Sequence, residues 1–502
     1  MDWNLIVWTV VTLLVAGYFY VKNKFKYWEK MGVPYVKPEF PFGILKEIGK
    51  TKHSSEVYTS AYKELKGKDV LGGIYYFTEP VAMITNLDLV KKILVKDFNY
   101  FQDSGAYLNE KDDPLSCQMF ALSGPRWRSL RNKLSPTFTS GKMKMMHNTM
   151  VTVAVELQNY LEALADQKKT IEIRDIIARF TTDVIGNCAF GIECNSLKDP
   201  ETEFRQIGRK VFESSYFGFL RNFFVMMFQD LSRMIKIKIN RPEVTEFFMR
   251  VLKETTEYRE KNNVKRNDFL SLLLQIKNTG KLEGDDTDLG KITFEELVAQ
   301  TFLFFAAGFE GPSGAMTFSL YELARHQDIQ DRARGEINKI LVKYNGEYSY
   351  EACEEMKYLD QIINETLRMY PSLDSLFRQC VKDYQVPDSQ HVIEKGTIVH
   401  VPIHSIQHDP EFYPNPENFD PDRFTEDNIR NRHHFAWLPF GEGPRNCIGK
   451  RFGLLQTKIG LAHMISKYRF RVCSKTSIPC ILDPQSIVIA PKGGIWLAIE
   501  KV

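Results

Sequence analysis

Residues 3–21 form a mainly apolar run without a single charge. At a 1.5 Å rise its nineteen residues make a helix of about 28 Å, close to the hydrocarbon thickness of a bilayer. Trp3, Trp8, Tyr18 and Tyr20 suit interfacial positions, and the flanking charges are unequal, with Asp2 before the run and Lys22, Lys24 and Lys26 after it. A cleaved signal peptide carries its positive charge ahead of the apolar stretch. Residues 1–21 therefore read as an uncleaved single-pass anchor, with the body on the cytosolic side. Pro34, Pro38 and Pro41 lie within residues 32–43, a density that cannot continue a helix and holds the chain extended. We read 22–44 as a basic, proline-rich linker and 45–502 as the body.

Within the body, residues 72–76 and 81–85 alternate around Glu79-Pro80 and predict a hairpin. Amphipathic helical spacing then dominates from Trp127 to about Ile340. Residues 212–227 are apolar almost all round, from Phe212 through Phe219 and Phe223 to Met227. Such a segment needs a second burial partner besides the core, whether ligand, membrane surface or both. Residues 280–290 read as an acidic, glycine-flanked surface loop, and short strands return at 396–402 and 487–490. The pattern predicts a mainly α protein with small β-sheets.

Composition narrows the function classes. Hydrophobic residues make up 43% and charged ones 26%, which are globular values. Four basic and two acidic residues fall in the first thirty, leaving 62 basic against 61 acidic in the rest. So balanced a body excludes a dedicated nucleic-acid binder. The eight cysteines form no C-x-x-C and no zinc spacing, as expected in a reducing compartment. The 35 Phe and 22 Tyr suggest an interior with room for an apolar ligand.

Chemistry concentrates in residues 440–449, FGEGPRNCIG. Gly441, Gly443 and Pro444 force a tight turn, and Gly449 permits close packing of the next backbone segment. A cysteine on such a turn, ahead of a helix over 450–465, feels exposed amides and a positive helix end, both of which favour thiolate. A lone thiolate is a suitable axial ligand for haem iron.

This F-x-x-G-x-R-x-C-x-G segment resembles the haem-binding loop of cytochromes P450, and the family's other motifs occur in order. Glu365-Thr366-Leu367-Arg368 matches E-x-x-R, and Pro421-Asp422-Arg423-Phe424 matches P-E-R-F with Asp in place of Glu. Trp127 and Arg131 match W-x-x-x-R. The resemblance covers nearly the whole chain and is strongest to insect endoplasmic-reticulum members that metabolise xenobiotics; residues 134–142 (LSPTFTSGK) support that placement. It implies the haem-thiolate fold with haem b (iron protoporphyrin IX) held by Cys447, beside Phe440. Trp127, Arg131, Arg378 and Arg445 would hold the propionates, and Glu365, Arg368 and Arg423 would form a structural lock. It also implies NADPH electrons delivered by NADPH–cytochrome P450 reductase, with cytochrome b5 as an optional second donor, in the endoplasmic-reticulum membrane.

One motif departs. Where the family has A-G-x-[D/E]-T-[S/T], this chain has Ala307-Gly308-Phe309-Glu310-Gly311-Pro312. Ala306, Ala307 and Gly308 are expected to leave space beside the iron, with Glu310 in the acid position. Gly311 offers no hydroxyl, and Ser313, about 200° further round the helix, cannot replace it. Pro312 frees the Gly308 carbonyl and kinks the helix, so ordered water would relay protons with Glu310, and weak coupling is expected. By family position the pocket draws on Phe101, Phe120, Phe212, Phe302, Phe304, Phe305, Leu373, Leu376 and Ile487, with Asp374 and Ser375 as unusual polar neighbours. Arg126, Arg128, Arg131, Lys133, Lys142 and Lys144 join Arg445, Lys450 and Arg451 in a basic patch suited to an acidic flavoprotein. The reading is a monooxygenase hydroxylating lipophilic small molecules such as insecticides or plant toxins. Its alternatives are a haem-thiolate isomerase or dehydratase, which Gly311 motivates, and a haem protein that sequesters lipophiles without turnover.

Overall fold

The computed structural model describes residues 3–167, 169–213, 215–283 and 288–502. Asp2 and residues 284–287 of the acidic loop lie outside them. The helices that bear on function are α1 (Trp3–Lys24), α2 (Tyr27–Lys30), α3 (Gly124–Leu134), α4 (Ser140–Asp166), α5 (Ile173–Ile185), α6 (Glu203–Phe212), α7 (Tyr216–Met227), α8 (Phe294–Arg325), α9 (Lys357–Met369) and α10 (Lys450–Lys467). The strands are β1 (Leu71–Tyr76), β2 (Glu79–Ile84), β3 (Thr170–Glu172), β4 (Leu376–Gln379), β5 (Ile398–Val401), β6 (Tyr468–Val472) and β7 (Trp496–Lys501). One sheet runs β1-β2-β5-β4 and a second β3-β7-β6, so the mainly helical fold with small sheets is as expected.

Two apolar cores meet at the functional region. The larger surrounds α8, the longest helix at 32 residues, which starts on a capping box made by Thr293 and Glu296. The smaller lies under β1, β2 and β5. Phe440 and Ile448 rest against the first and Leu376 against the second, so the loop carrying Cys447 sits at their junction.

Helix α1 buries no side chain. Its two threonines donate their hydroxyls to the carbonyls of Leu5 and Trp8 within the helix, at 2.7 and 2.8 Å. It is long and apolar enough to cross a bilayer.

The structure differs from the sequence reading in four places. The hairpin turns at Phe77-Thr78, because Tyr76 pairs with Glu79; Phe77 takes the positive φ that a two-residue turn requires. The 212–227 run breaks into α6 and α7. Residues 487–490 are not a strand, because Val488 N–H donates to Ser486 and Ile489 N–H to the Ser372 carbonyl instead of to a ladder.

The fourth concerns the linker. Residues 27–44 are laid on the sheet, since Trp28 on α2 is only 2% exposed and donates its indole N–H to the Ile74 carbonyl at 3.0 Å. Gly73 makes the room, because a Cβ there would lie 2.3 Å from the Trp28 ring. The prolines stiffen a docked segment, not a free spacer.

Deleting residues 1–24 should therefore leave a folded body that partitions away from membranes. Trp28→Ala in the full chain should cost about 3–5 kcal/mol, as large aromatic truncations in cores do. Thermal unfolding of both forms checks this; a full-chain Trp28→Ala as stable as the parent would show that the docking carries no weight.

Candidate functional site

The Cys447 loop is closed by its own backbone. The Cys447 N–H donates to the Phe440 carbonyl at 2.8 Å, Gly441 N–H to Leu438, and Asn446 N–H to Gly443. Gly443 is obligatory, with φ +76° and a virtual Cβ only 1.9 Å from the Leu94 carbonyl oxygen. Gly449 is not crowded: its nearest neighbour to a Cβ is Phe138 at 4.0 Å. Cys447 itself is reachable by solvent yet enclosed by protein on most sides. Burial pushes its thiol up, while the Gly449 N–H and the charges of Arg131 and Lys450 pull it down. The expected thiolate bias is present but outweighed by enclosure. A coordinating metal deprotonates a thiol outright, so the loop needs only to present the sulfur.

Beside the loop stand three guanidiniums with no carboxylate salt-bridge partner among the described residues. Trp127 and Arg131, one turn apart on α3, share a face. Arg131 donates to the carbonyl and side-chain oxygen of Asn446 at 2.9 and 2.8 Å. Arg445 donates to the carbonyls of Gln102 and Leu122 and lies 4.3 Å above the Trp127 ring. Arg378 projects from β4 on the same side as Leu376, as strand alternation requires. Its Nε is buried without a partner. Burial depresses Arg378 to about 10 and Arg445 to about 9, with Arg378 and Arg131 adding repulsion at Arg445. One buried cation with an orphaned donor beside two half-buried ones fits a dianionic group next to the sulfur, which is what the propionates of haem present. The residues fit that cofactor.

Across from the loop, α8 packs on the start of α10, with Phe304 and Phe452 ring centres 5.0 Å apart. Most of α8 is buried, but one stripe is not: Leu303, Ala306, Glu310, Gly311 and Gly314 are partly accessible and Ala307 is exposed. Those positions lie at helical spacing on one side. Phe302, Phe305 and Phe309 lie on the other side, and they are buried. Phe302 packs against Phe248, and Phe305 against Phe190, Phe204 and Phe248. Phe302 and Phe305 are thus core residues and not pocket wall; Phe304 is likewise buried between Phe138, Phe269 and Phe452. Gly308 serves packing too, since a Cβ there would meet Ile185 of α5 at 2.5 Å. Leu303, which sequence reasoning omitted, belongs to the accessible stripe; only the phase of the helix reveals it.

Other expected pocket residues divide the same way. Phe101 is fully buried against Tyr384 in the sheet core, so it lines nothing. Phe212 stacks on Phe309, on the far side of α8 from Ala307. Phe120, Leu373 and Ile487 are exposed, and Leu376 approaches Gly441 of the loop. Asp374 is buried and accepts from Ser54, while Ser375 shares a 2.6 Å hydrogen bond with His400. Both are held by partners within the protein.

Glu310 donates nothing and accepts from Arg174 of α5 at 3.0 Å, which fixes it at the edge of the accessible stripe. α8 runs unbroken through Pro312.

Glu365, Arg368 and Arg423 form the expected lock. Arg368 grips Glu365 with two bonds of 2.7 and 2.9 Å, both side chains being fully buried. Its remaining donors reach the carbonyls of Gln407 and Pro416. Arg423 Nε lies 3.4 Å from Glu365, and Arg423 donates to Pro414 and Asn415. Burial raises the Glu365 carboxyl, against the pull of Arg368. Asp422, the departure from the family motif, faces outward to Arg332 and leaves the lock unaffected.

The basic patch is smaller than its sequence suggests. Arg126 is paired with Glu110 and Lys144 with Glu351, while Arg131 and Lys133 bond to backbone or Asn446. Arg128 is exposed with no acidic partner among the described residues, and Lys450 and Arg451 remain at the start of α10.

Residues 34–498 match the Cytochrome P450 family model. The chain is 43% identical over 495 residues to Cytochrome P450 6a9 of Drosophila melanogaster, covering 98% of each. It is 44% identical over 487 residues to Probable cytochrome P450 6a14 of the same fly, covering 95% of this chain and 96% of that one. To Cytochrome P450 6A1 of Musca domestica it is 43% identical over 503 residues, covering 99% and 98%.

Glu365→Gln should leave Arg368 buried without a counter-charge, at a cost of about 3–5 kcal/mol. The expected outcome is a lower melting temperature and little haem retained on purification. A variant that kept both would show the lock to be dispensable.

Proposed function

The chain belongs to the cytochrome P450 family of haem-thiolate monooxygenases, and we propose that it is a membrane-anchored member that hydroxylates lipophilic small molecules, xenobiotics such as insecticides or plant toxins among them. The overall reaction is RH + O2 + NADPH + H+ → ROH + H2O + NADP+. The observation that carries this reading is the reachable Cys447, set on a closed loop between three arginines without carboxylate salt bridges among the described residues and the accessible stripe of α8.

When bound, thiolate-ligated haem supplies dioxygen activation, the thiolate pushing electron density towards O–O cleavage. The protein's part is to hold, orient and exclude. Cys447 would hold the haem iron, and Trp127, Arg131, Arg378 and Arg445 would hold the propionates. Ala306, Ala307 and Gly311 keep the facing wall low, while Leu303, Leu373, Leu376, Phe120 and Ile487 favour apolar substrates. Glu310, fixed by Arg174, takes protons from the solvent side. The Gly308 carbonyl, which Pro312 cannot engage, is a place for a relaying water.

Helix α1 anchors the protein in the endoplasmic-reticulum membrane with the body cytosolic. Phe217, 80% exposed, and the exposed Leu231, Met234 and Ile235 suit a second contact with the bilayer surface. Arg128, Lys450 and Arg451 offer a docking face for the acidic surface of NADPH–cytochrome P450 reductase, with cytochrome b5 as an optional donor.

Three outcomes test this. Cys447→Ser should abolish the red-shifted Soret band of the reduced carbon monoxide complex; its persistence would sink the ligand assignment. Purified enzyme with reductase should consume NADPH and dioxygen and oxidise lipophilic compounds; an isomerase, a dehydratase or a sequestering protein would consume neither. Reversing Arg128 and Arg451 to Glu should weaken the apparent affinity for reductase roughly 10-fold at low salt, with the difference shrinking at high salt.

A further inference from the structure

Gly311 occupies the position where the family carries a hydroxyl on the oxygen side of the haem, and it lies in the accessible stripe of α8. A Cβ placed there would meet a single neighbour within 4 Å, the Ser372 Oγ at 3.8 Å. Since a threonine carries its hydroxyl one bond beyond Cβ, Ser372 presents an O–H in the same small region from the opposite wall. We infer that Ser372 supplies the proton-donating hydroxyl that Gly311 lacks; the inference rests on the monooxygenase reading.

The serine is suited to that task. Its hydroxyl has no hydrogen-bond partner among the described residues, and it is not among the sealed polar atoms, so it is free to bond a ligand or a water. Ser372 is half-buried. Its backbone is held from three directions. Tyr370 stacks on Phe318 of α8 with centroids 4.1 Å apart, and donates its hydroxyl to Glu322 at 2.7 Å. The Ser372 carbonyl accepts from Ile489 N–H at 3.3 Å, and the Asp374 carbonyl accepts from His404 N–H at 2.9 Å. The segment bearing Ser372 is thus fastened to the same helix that bears Gly311, two turns further on. Free Oγ and fixed backbone together make a positioned donor, and losing one such donor typically slows the step it serves by ~10²–10⁴. On this assignment the weak coupling expected from Gly311 alone is not expected.

The test compares wild type, Ser372→Ala, Ser372→Thr and the double variant Ser372→Ala with Gly311→Thr, each checked for haem content and melting temperature. The first readout needs no turnover: the infrared C–O stretch of the reduced carbon monoxide complex senses an O–H donor beside the ligand. It should move to higher frequency in Ser372→Ala and stay near wild type in Ser372→Thr. The second is stoichiometry with reductase and one substrate. Loss of the donor diverts reducing power by O2 + NADPH + H+ → H2O2 + NADP+, so Ser372→Ala should raise peroxide per product roughly 10-fold. The double variant should recover most of that, because position 311 has room for the new side chain. An unmoved C–O band or an unmoved peroxide ratio in Ser372→Ala overturns the inference. A wild type that forms no hydroxylated product would instead overturn the monooxygenase reading, and the infrared comparison would still decide whether Ser372 donates.

Discussion

Two opposite charges with no access to water, Glu365 and Arg368, set the geometry of the functional half of this protein. Buried ions are expensive, and a pair of them is weak as a source of stability; its strength is in specifying one arrangement. Here the specification is strict. Glu365 also accepts from the Asp420 N–H at 3.0 Å, and Arg368 reaches carbonyls at 407 and 416. An irregular stretch some fifty residues away in sequence is thereby pinned to α9. From it the order passes on: Gln407 accepts from Leu438 N–H at 2.8 Å, and Tyr413 donates to the Ala436 carbonyl at 3.1 Å. Leu438 in turn accepts from Gly441 at the entrance to the Cys447 loop.

The arginines next to that loop show the opposite arrangement. Arg378 is buried and Arg131 and Arg445 are half-buried, none of them in a carboxylate salt bridge among the described residues; backbone carbonyls, the Asn446 side chain and, at Arg445, the Trp127 ring take their place. A carboxylate at that place would satisfy the cations and compete with the propionates. The contrast between a fully compensated pair at 365–368 and an uncompensated trio at the sulfur separates a structural charge cluster from a binding one.

Contiguous motifs were legible in the sequence: the 440–449 loop, E-x-x-R, W-x-x-x-R and the apolar run of α1 each encode their chemistry within a few residues. The features that were not legible depended on phase and on distant partners. Phe302 and Phe305 count as pocket residues by family position, yet their side of α8 is fixed by packing on Phe248 and Phe190. The need for Gly73 is visible only once Trp28 is seen against it. Asp374 stands out in the sequence as a polar residue by the pocket wall, and its partner Ser54 lies more than three hundred residues away. Ser372 carried no signal, since its meaning lies in the absence of a side chain at 311.

Residue 372 also stands four positions beyond Arg368, at the exit of α9. The lock that arranges the sulfur side through the 407–438 stretch therefore anchors the opposite wall as well, through the short path from Arg368 to Ser372. In a chain whose hydroxyl is carried by α8, the oxygen-side donor is set by the course of that helix alone. Here Pro312 has no N–H to give the Gly308 carbonyl, although the helix continues through it. A donor on the loop after α9 does not depend on that turn and takes its position from the buried ion pair. Both sides of the cofactor site then hang from one helix, and a distortion at Glu365 would reach the thiolate and Ser372 together.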